Sequence, residues 1–79
     1  MKYSRHISGI KAFGKHLRKL RIEKGLSQEQ LAWKAEMELS QISRIERGII
    51  STGLSQLFML SEALDLKPKD LFDFELEPE

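Results

Sequence analysis

The most informative stretch of this chain is Leu26-Ser-Gln-Glu-Gln-Leu-Ala-Trp-Lys-Ala-Glu-Met-Glu-Leu-Ser-Gln-Ile-Ser-Arg-Ile-Glu-Arg-Gly48. It contains two short runs whose apolar residues have helical spacing, separated by the acidic segment 36–38. Ser27 followed by Gln30 is a capping box, which marks the start of the first run, and Gly48 is a typical residue after a helix end. The stretch therefore predicts two helices joined by a tight turn, a helix-turn-helix. The apolar positions expected in its core are Leu31, Ala32, Ala35, Met37, Ile42 and Ile45.

This stretch resembles the Cro/phage-repressor (XRE) family of helix-turn-helix regulators. The resemblance implies an all-α fold, a compact five-helix domain of the phage-repressor type, and binding to double-stranded DNA. It also implies that the second helix of the motif enters the major groove with its N-terminus first. The likeness extends from about Phe13 to Phe72, and its strongest residues are Leu26-Ser27-Gln28-Glu29, Leu31-Ala32 and Ile42-Ser43-Arg44-Ile45-Glu46-Arg47-Gly48.

A first helix is expected before the motif. Its apolar side would be Ile10, Phe13, Leu17 and Leu20, spaced three or four apart. The helix is predicted either from a Ser8 cap to about Lys24 or only from Phe13, because Gly14 weakens a helix by about 1 kcal/mol relative to alanine. Gly25 would follow its end, since glycine tolerates the positive φ found there.

Two more helices are expected after the motif. The fourth would begin at Thr52 or Gly53, and the fifth at Lys67-Pro68, because proline suits the first helical position. The apolar residues of the fourth helix are expected in the core, and they are Leu54, Leu57, Phe58, Leu60 and Leu64. The predicted division is a basic arm or helix extension (1–12), the helix-turn-helix DNA-binding domain (13–72) and an acidic tail (73–79).

The length and composition narrow the class of protein. A chain of 79 residues forms at most one domain with a small core. It has no cysteine, so disulfides are excluded. No apolar run approaches the roughly 20 residues that span a bilayer, and the N-terminus lacks the apolar segment of a signal peptide. A soluble cytoplasmic protein without membrane contact is the expectation.

The net charge of +1 conceals a strong asymmetry along the chain. Residues 1–25 carry a formal charge of +7, residues 26–50 carry −1, and residues 51–79 carry −5. Such polarity can reflect solvated helix faces whose charges neutralise each other. Together with the motif, it favours a surface that faces a polyanion.

The outward positions of the second motif helix are the expected base contacts. The resemblance places Leu39, Ser40 and Arg44 at base-contacting positions, with Gln41 and Ser43 beside them. Arg44 can pair with guanine O6 and N7, and Ser40 can bond to either type of base. Leu39 can contact a thymine methyl group.

A second set of residues is expected at the DNA backbone, where contacts give affinity but little sequence information. In the family, a glutamine at the Gln28 position binds a phosphate and braces the recognition helix. Arg47 and the backbone amides of the loop 48–52 would be further ligands. Arg18 and Lys15, together with a mobile arm carrying Lys2 and Arg5, would add long-range attraction.

The resemblance also implies an internal ion pair and exposes two departures from the family. Arg21 and Glu46 match a partly buried salt bridge that fixes orientation more than it stabilises.

Glu36 stands where the family usually has glycine, and positive φ is unfavourable for glutamate. Glu38 replaces the usual serine or threonine cap of the recognition helix. The acidic turn is therefore expected to sharpen specificity more than to raise affinity.

The remaining polar and aromatic residues suggest no catalytic or metal site. Trp33 is expected to be a partly buried cover over the N-terminal segment. His6 and His16 have no cysteine partners and no shared ligand spacing, so no metal is predicted. We therefore expect no enzyme, no cofactor and no small-molecule ligand.

The predicted function is that of a sequence-specific transcriptional regulator, binding a near-palindromic operator as a homodimer. Leu71, Phe72 and Phe74 supply more apolar surface than a short last helix can bury, and are the predicted dimer interface. The bare single domain resembles the controller proteins of restriction–modification systems. Two alternatives stay open: the antitoxin of a toxin–antitoxin pair, and a protein-interaction module that does not bind DNA.

Overall fold

The structure, a computed structural model, describes residues 5–76, and this part of the chain is all helical. Its elements in chain order are α1 (Ile7–Glu23), α2 (Gln28–Ala35), α3 (Leu39–Glu46), α4 (Leu54–Ala63) and a 3-10 helix (Pro68–Phe72). The all-α prediction is confirmed, and the expected fifth helix is this single 3-10 segment. The carboxylate of Asp70 folds back to accept from the backbone N–H of Lys67 at 2.9 Å, which closes the short segment at its start.

The two helix starts before the recognition helix are fixed by local side-chain caps. His6, rather than the expected Ser8, caps α1, because its Nδ1 accepts from the backbone N–H of Gly9 at 3.0 Å. Residues 7–12 are consequently helical and continuous with α1. The capping box of α2 is present as predicted: the Gln30 N–H donates to Ser27 Oγ at 3.0 Å, and the Ser27 N–H donates to Gln30 Oε1 at 2.8 Å.

All four α-helices end in the same backbone motif. At the end of α3 the Gly48 N–H donates to the Ile45 carbonyl at 3.0 Å, and the Ile49 N–H donates to the Arg44 carbonyl at 2.9 Å. This Schellman pairing satisfies carbonyls at the helix end and requires one residue with left-handed backbone geometry. That residue is glycine in two helices and an acidic residue in the other two: Gly25 (φ 72°), Glu36 (φ 56°), Gly48 (φ 72°) and Asp65 (φ 55°).

The core forms where α3 packs against α1 and α2, and where α4 packs against α2 and the 3-10 helix. The motif residues expected there are buried, with Met37 partly buried against them. Gly14 allows α1 to reach α3, because a Cβ at this position would overlap the carbonyl oxygen of Ile45 and lie 2.9 Å from that of Glu46. Within residues 5–76 the buried apolar residues are Phe13, Leu17, Leu31, Ala32, Ala35, Ile42, Ile45, Leu60, Leu64 and Leu71.

Candidate nucleic-acid interface

The helix α3 presents one polar face to solvent and one apolar face to the core. Ile42 and Ile45 are buried, whereas Ser40 and Arg44, four residues apart, are exposed on the opposite side. Leu39 is exposed at the N-terminal end, where the helix would enter a groove. The structure thus brings the predicted base-contacting residues onto one accessible surface, although Gln41 and Ser43 at its margins are partly covered.

The turn before α3 carries two exposed carboxylates. Glu36 occupies the left-handed position that the family usually fills with glycine, as its φ of 56° records. Glu38 is the N-cap residue of α3, but its side chain makes no capping hydrogen bond to the helix. The carboxylate of Glu38 therefore does not cap α3, and it is exposed to solvent at the N-terminal end of that helix.

A buried polar network fixes α3 against α1 and α2. The predicted bridge is present: Arg21 Nε donates to Glu46 Oε2 at 2.7 Å and Arg21 Nη2 donates to Glu46 Oε1 at 3.0 Å. Only 11% of the Arg21 side chain and 2% of the Glu46 side chain are exposed. Arg21 Nη1 also donates to the Leu26 carbonyl at 2.9 Å, which ties the loop between α1 and α2 to the same pair.

Gln28 joins this network at the start of α2. Its Nε2 donates to Glu46 Oε1 at 3.0 Å, so the side chain links α2 to the last turn of α3. One N–H of the amide and its carbonyl oxygen remain for another partner. The geometry accounts for a bracing role, and the phosphate contact predicted for Gln28 stays a prediction.

The loop after α3 has fewer available amides than the sequence suggested. The N–H groups of Gly48 and Ile49 already donate within the Schellman motif, so phosphate contacts from backbone amides would have to come from residues 50–52. Arg47 is exposed, and its Nε donates weakly to the Ser43 carbonyl at 3.3 Å. The guanidinium of Arg47 is therefore accessible at the C-terminal end of the recognition helix.

The structure separates the cations expected to attract DNA. Arg18 is exposed, four residues from Gly14 and three from Arg21, and so lies towards the side of α1 that packs against α3. Lys15 lies farther around the helix, in a groove of about 670 Å³ that it shares with Asp73 and Glu75. Arg5 does not float freely as an arm would, because its Nη2 donates to the Ile49 carbonyl at 2.7 Å. Lys2 lies outside the described residues.

The predicted dimer contacts need a correction at Leu71. This side chain is 1% exposed and closes the core of its own protomer, so it is unavailable to a partner. Phe72 is 52% exposed, with its ring centroid 5.5 Å from that of Phe13. Phe74 is partly buried, and its ring centroid lies 5.4 Å from that of His16.

Helix α4 carries exposed apolar residues that the sequence analysis placed in the core. Leu54 is 69% exposed and Phe58, one turn later, is 50% exposed. Because apolar residues occur on several sides of α4, the sequence pattern did not show which of them face the core.

The expectation for Trp33 was wrong. Its side chain is 82% exposed on the side of α2 opposite the buried Leu31 and Ala35, so it is not the partly buried cover that was expected. Within residues 5–76 there is no group of three or more histidine or acidic side chains arranged to hold a metal ion. No helix in this part of the chain has the length and apolar character to cross a membrane.

Comparison with known proteins agrees with this arrangement. Residues 17–71 match the helix-turn-helix family HTH_3. Control protein C.BamHI from Bacillus amyloliquefaciens is 41% identical over 63 residues, covering 78% of this chain and 78% of that protein.

Two solved structures are similar to the chain at the level of the fold and of the sequence. The restriction–modification controller protein C.AhdI from Aeromonas hydrophila has a TM-score of 0.79 and 41% identity, over 80% of this chain and 96% of the other. The clp gene regulator ClgR from Corynebacterium glutamicum has a TM-score of 0.74 and 27% identity, over 78% of this chain and 80% of the other. The chain therefore belongs to the HTH_3 family of XRE-type helix-turn-helix proteins and is a DNA-binding transcription regulator, not an enzyme.

Proposed function

We propose that the protein is the controller of a restriction–modification system and binds a near-palindromic operator as a homodimer. The observation that carries this proposal is the open polar face of α3, held on a rigid base by the Arg21–Glu46 bridge. The likeness to C.BamHI and C.AhdI, at 41% identity each, supports the controller role. The operator can be found by selecting bound duplexes from a random pool.

Arg44 is the residue proposed to read a base. It lies on the exposed face of α3 with Ser40, and its planar guanidinium suits the two acceptors of guanine. Arg44→Ala is expected to weaken operator binding by about 1–3 kcal/mol and to relax the preference at one base pair. Arg47→Ala is the matched control, because a phosphate contact weakens binding to all sequences alike. Equal losses on operator and random duplexes for Arg44→Ala would assign that residue to the backbone instead.

The homodimer is proposed to form through Leu54, Phe58 and Phe72, a set we call the α4 apolar surface. These side chains are at least half exposed in the protomer and lie on two elements that pack together, α4 and the 3-10 helix. A domain this small gains stability by covering such residues with a second copy of itself. Two-fold pairing would also set two recognition helices about 34–36 Å apart, which matches half-sites one helical turn apart.

The dimer is tested by sedimentation at micromolar concentration. Leu54→Asp with Phe58→Asp is expected to give a folded monomer that binds a single half-site but loses the gain from a full operator. Ile22→Asp, at a half-exposed isoleucine on α1, is the matched control and is expected to remain dimeric. A wild-type protein that stays monomeric at high concentration contradicts the dimer.

The two alternative functions predict different outcomes. A protein-interaction module would bind no duplex even at low salt, whereas a DNA-binding protein loses affinity steeply as salt is added. An antitoxin would bind DNA too, but it would be encoded beside a toxin rather than beside a restriction endonuclease and its methyltransferase.

A further inference from the structure

The N-terminal end of α1 packs against the loop that follows the recognition helix. Arg5 Nη2 donates to the Ile49 carbonyl at 2.7 Å. On the same loop, Gly48 has no room for a side chain, because a Cβ there would lie 2.8 Å from Lys11 Cγ and 3.0 Å from Lys11 Cα. Two cationic side chains, six residues apart on the chain, therefore contact the same short segment, residues 48 and 49.

Among residues 5–76, no acidic side chain lies within ion-pair distance of Arg5 or Lys11. In the described part of the chain the ion pair within 4.0 Å is that between Arg21 and Glu46. The first turn of α1 contains no acidic residue. Lys11 borders the groove that also holds Asp73 and Glu75, but neither carboxylate comes within ion-pair distance of its ammonium group.

The length of α3 would place Arg5, Lys11 and the segment 48–49 near the DNA backbone. Eight helical residues span about 12 Å, which is more than the roughly 8.5 Å depth of the major groove. A recognition helix that inserts its Leu39 end has its other end, with Gly48, at the groove edge, where the phosphates lie. The Arg5 bond also covers the Ile49 carbonyl, an acceptor that would face those phosphates, and leaves further guanidinium N–H groups to donate.

Building on the DNA binding proposed above, we propose that Arg5 and Lys11 form a phosphodiester-binding anchor beside the loop 48–52. The anchor extends the contact with DNA from the motif to the start of α1. It acts on phosphates of any sequence, so it raises affinity and fixes the orientation of the recognition helix without selecting bases.

The test measures binding as a function of salt on two fluorescently labelled duplexes, one of arbitrary sequence and one selected as an operator. Arg5→Gln and Lys11→Gln are each expected to reduce the slope of log K against log salt by about 0.9 for each phosphate that the variant no longer neutralises. Glutamine retains the Cβ, Cγ and Cδ positions of both stems, including the Lys11 Cγ that lies beside Gly48, and removes the charge. The preferred operator sequence is expected to stay unchanged.

Lys19→Gln is the matched control, because Lys19 is an exposed lysine on α1 that lies eight residues, or about 12 Å of helix, beyond Lys11. An unchanged slope for Lys19→Gln together with reduced slopes for the other two variants supports direct contacts. Equal reductions in all three variants would mean long-range attraction only, and unchanged slopes would also overturn the anchor. A folded wild-type protein that binds neither duplex at low salt would refute the proposed function itself, and the anchor with it.

Discussion

Replacing Glu36 by glycine is expected to stabilise the protein, although it deletes a side chain. Glu36 holds a φ of 56° at the end of α2, in the position that glycine fills at the ends of α1 and α3. Left-handed geometry costs a residue with a Cβ roughly 1–2 kcal/mol. Glycine removes that strain but has about 0.5–1 kcal/mol more conformational freedom to lose on folding.

The difference leaves a net gain of about 0.5–1 kcal/mol for Glu36→Gly. In a domain of this size 1 kcal/mol corresponds to roughly 4–8 °C in Tm, so a rise of about 2–8 °C is expected. The measurement is urea unfolding followed by circular dichroism, supported by a thermal scan. A shifted midpoint with an unchanged m-value would identify a change in stability alone.

Three control variants separate backbone strain from other causes. Glu36→Ala removes the charge but keeps the Cβ, so it should recover little of the gain. Lys34→Gly, inside α2, should lose about 1 kcal/mol, since glycine is unfavourable in a right-handed helix. Asp65→Gly should gain less than Glu36→Gly, because aspartate tolerates the left-handed region better than glutamate. A loss of stability in Glu36→Gly, or an equal gain in Glu36→Ala, would refute the reasoning.

Two further predictions concern the contact between α1 and α3. Gly14→Ala should destabilise the fold by about 1–3 kcal/mol in urea unfolding despite the higher helix propensity of alanine, because the new Cβ meets the backbone of Ile45; unchanged or raised stability would disprove this close approach. Arg21→Ala should cost about 3–5 kcal/mol by leaving Glu46 buried without its main partner. Arg21→Met with Glu46→Leu should restore much of that loss, and strictly additive losses in a double-mutant cycle would argue against the coupling.

The sequence determined the features of the fold that depend on residues close together in the chain. The Ser27–Gln30 capping box and the C-terminal Gly25 and Gly48 act within one helical turn, so their patterns predicted helix ends directly. The apolar spacing of α3 likewise identified which side is buried and which carries Ser40 and Arg44. The Arg21–Glu46 bridge, 25 residues apart, followed from the resemblance to a known family rather than from local pattern.

The tertiary structure decided which apolar residues of the C-terminal third are covered. Apolar side chains surround much of α4, so periodicity alone could not distinguish buried Leu60 from exposed Leu54 and Phe58. Leu71 is buried while its neighbour Phe72 is half exposed, because the 3-10 segment turns only one of them towards the core. The proposed dimer surface consequently differs from the one that the sequence suggested.

The tertiary structure also explains two residues whose structural roles the sequence pattern did not predict. In the sequence Gly14 is a defect in a helix, and Arg5 belongs to a basic arm. Only the approach of α1 to the end of α3 explains the glycine and brings Arg5 to the Ile49 carbonyl. In both contacts more than 30 residues of chain separate the partners. Local sequence patterns do not specify such contacts, because the contacts depend on how α1 packs against the end of α3.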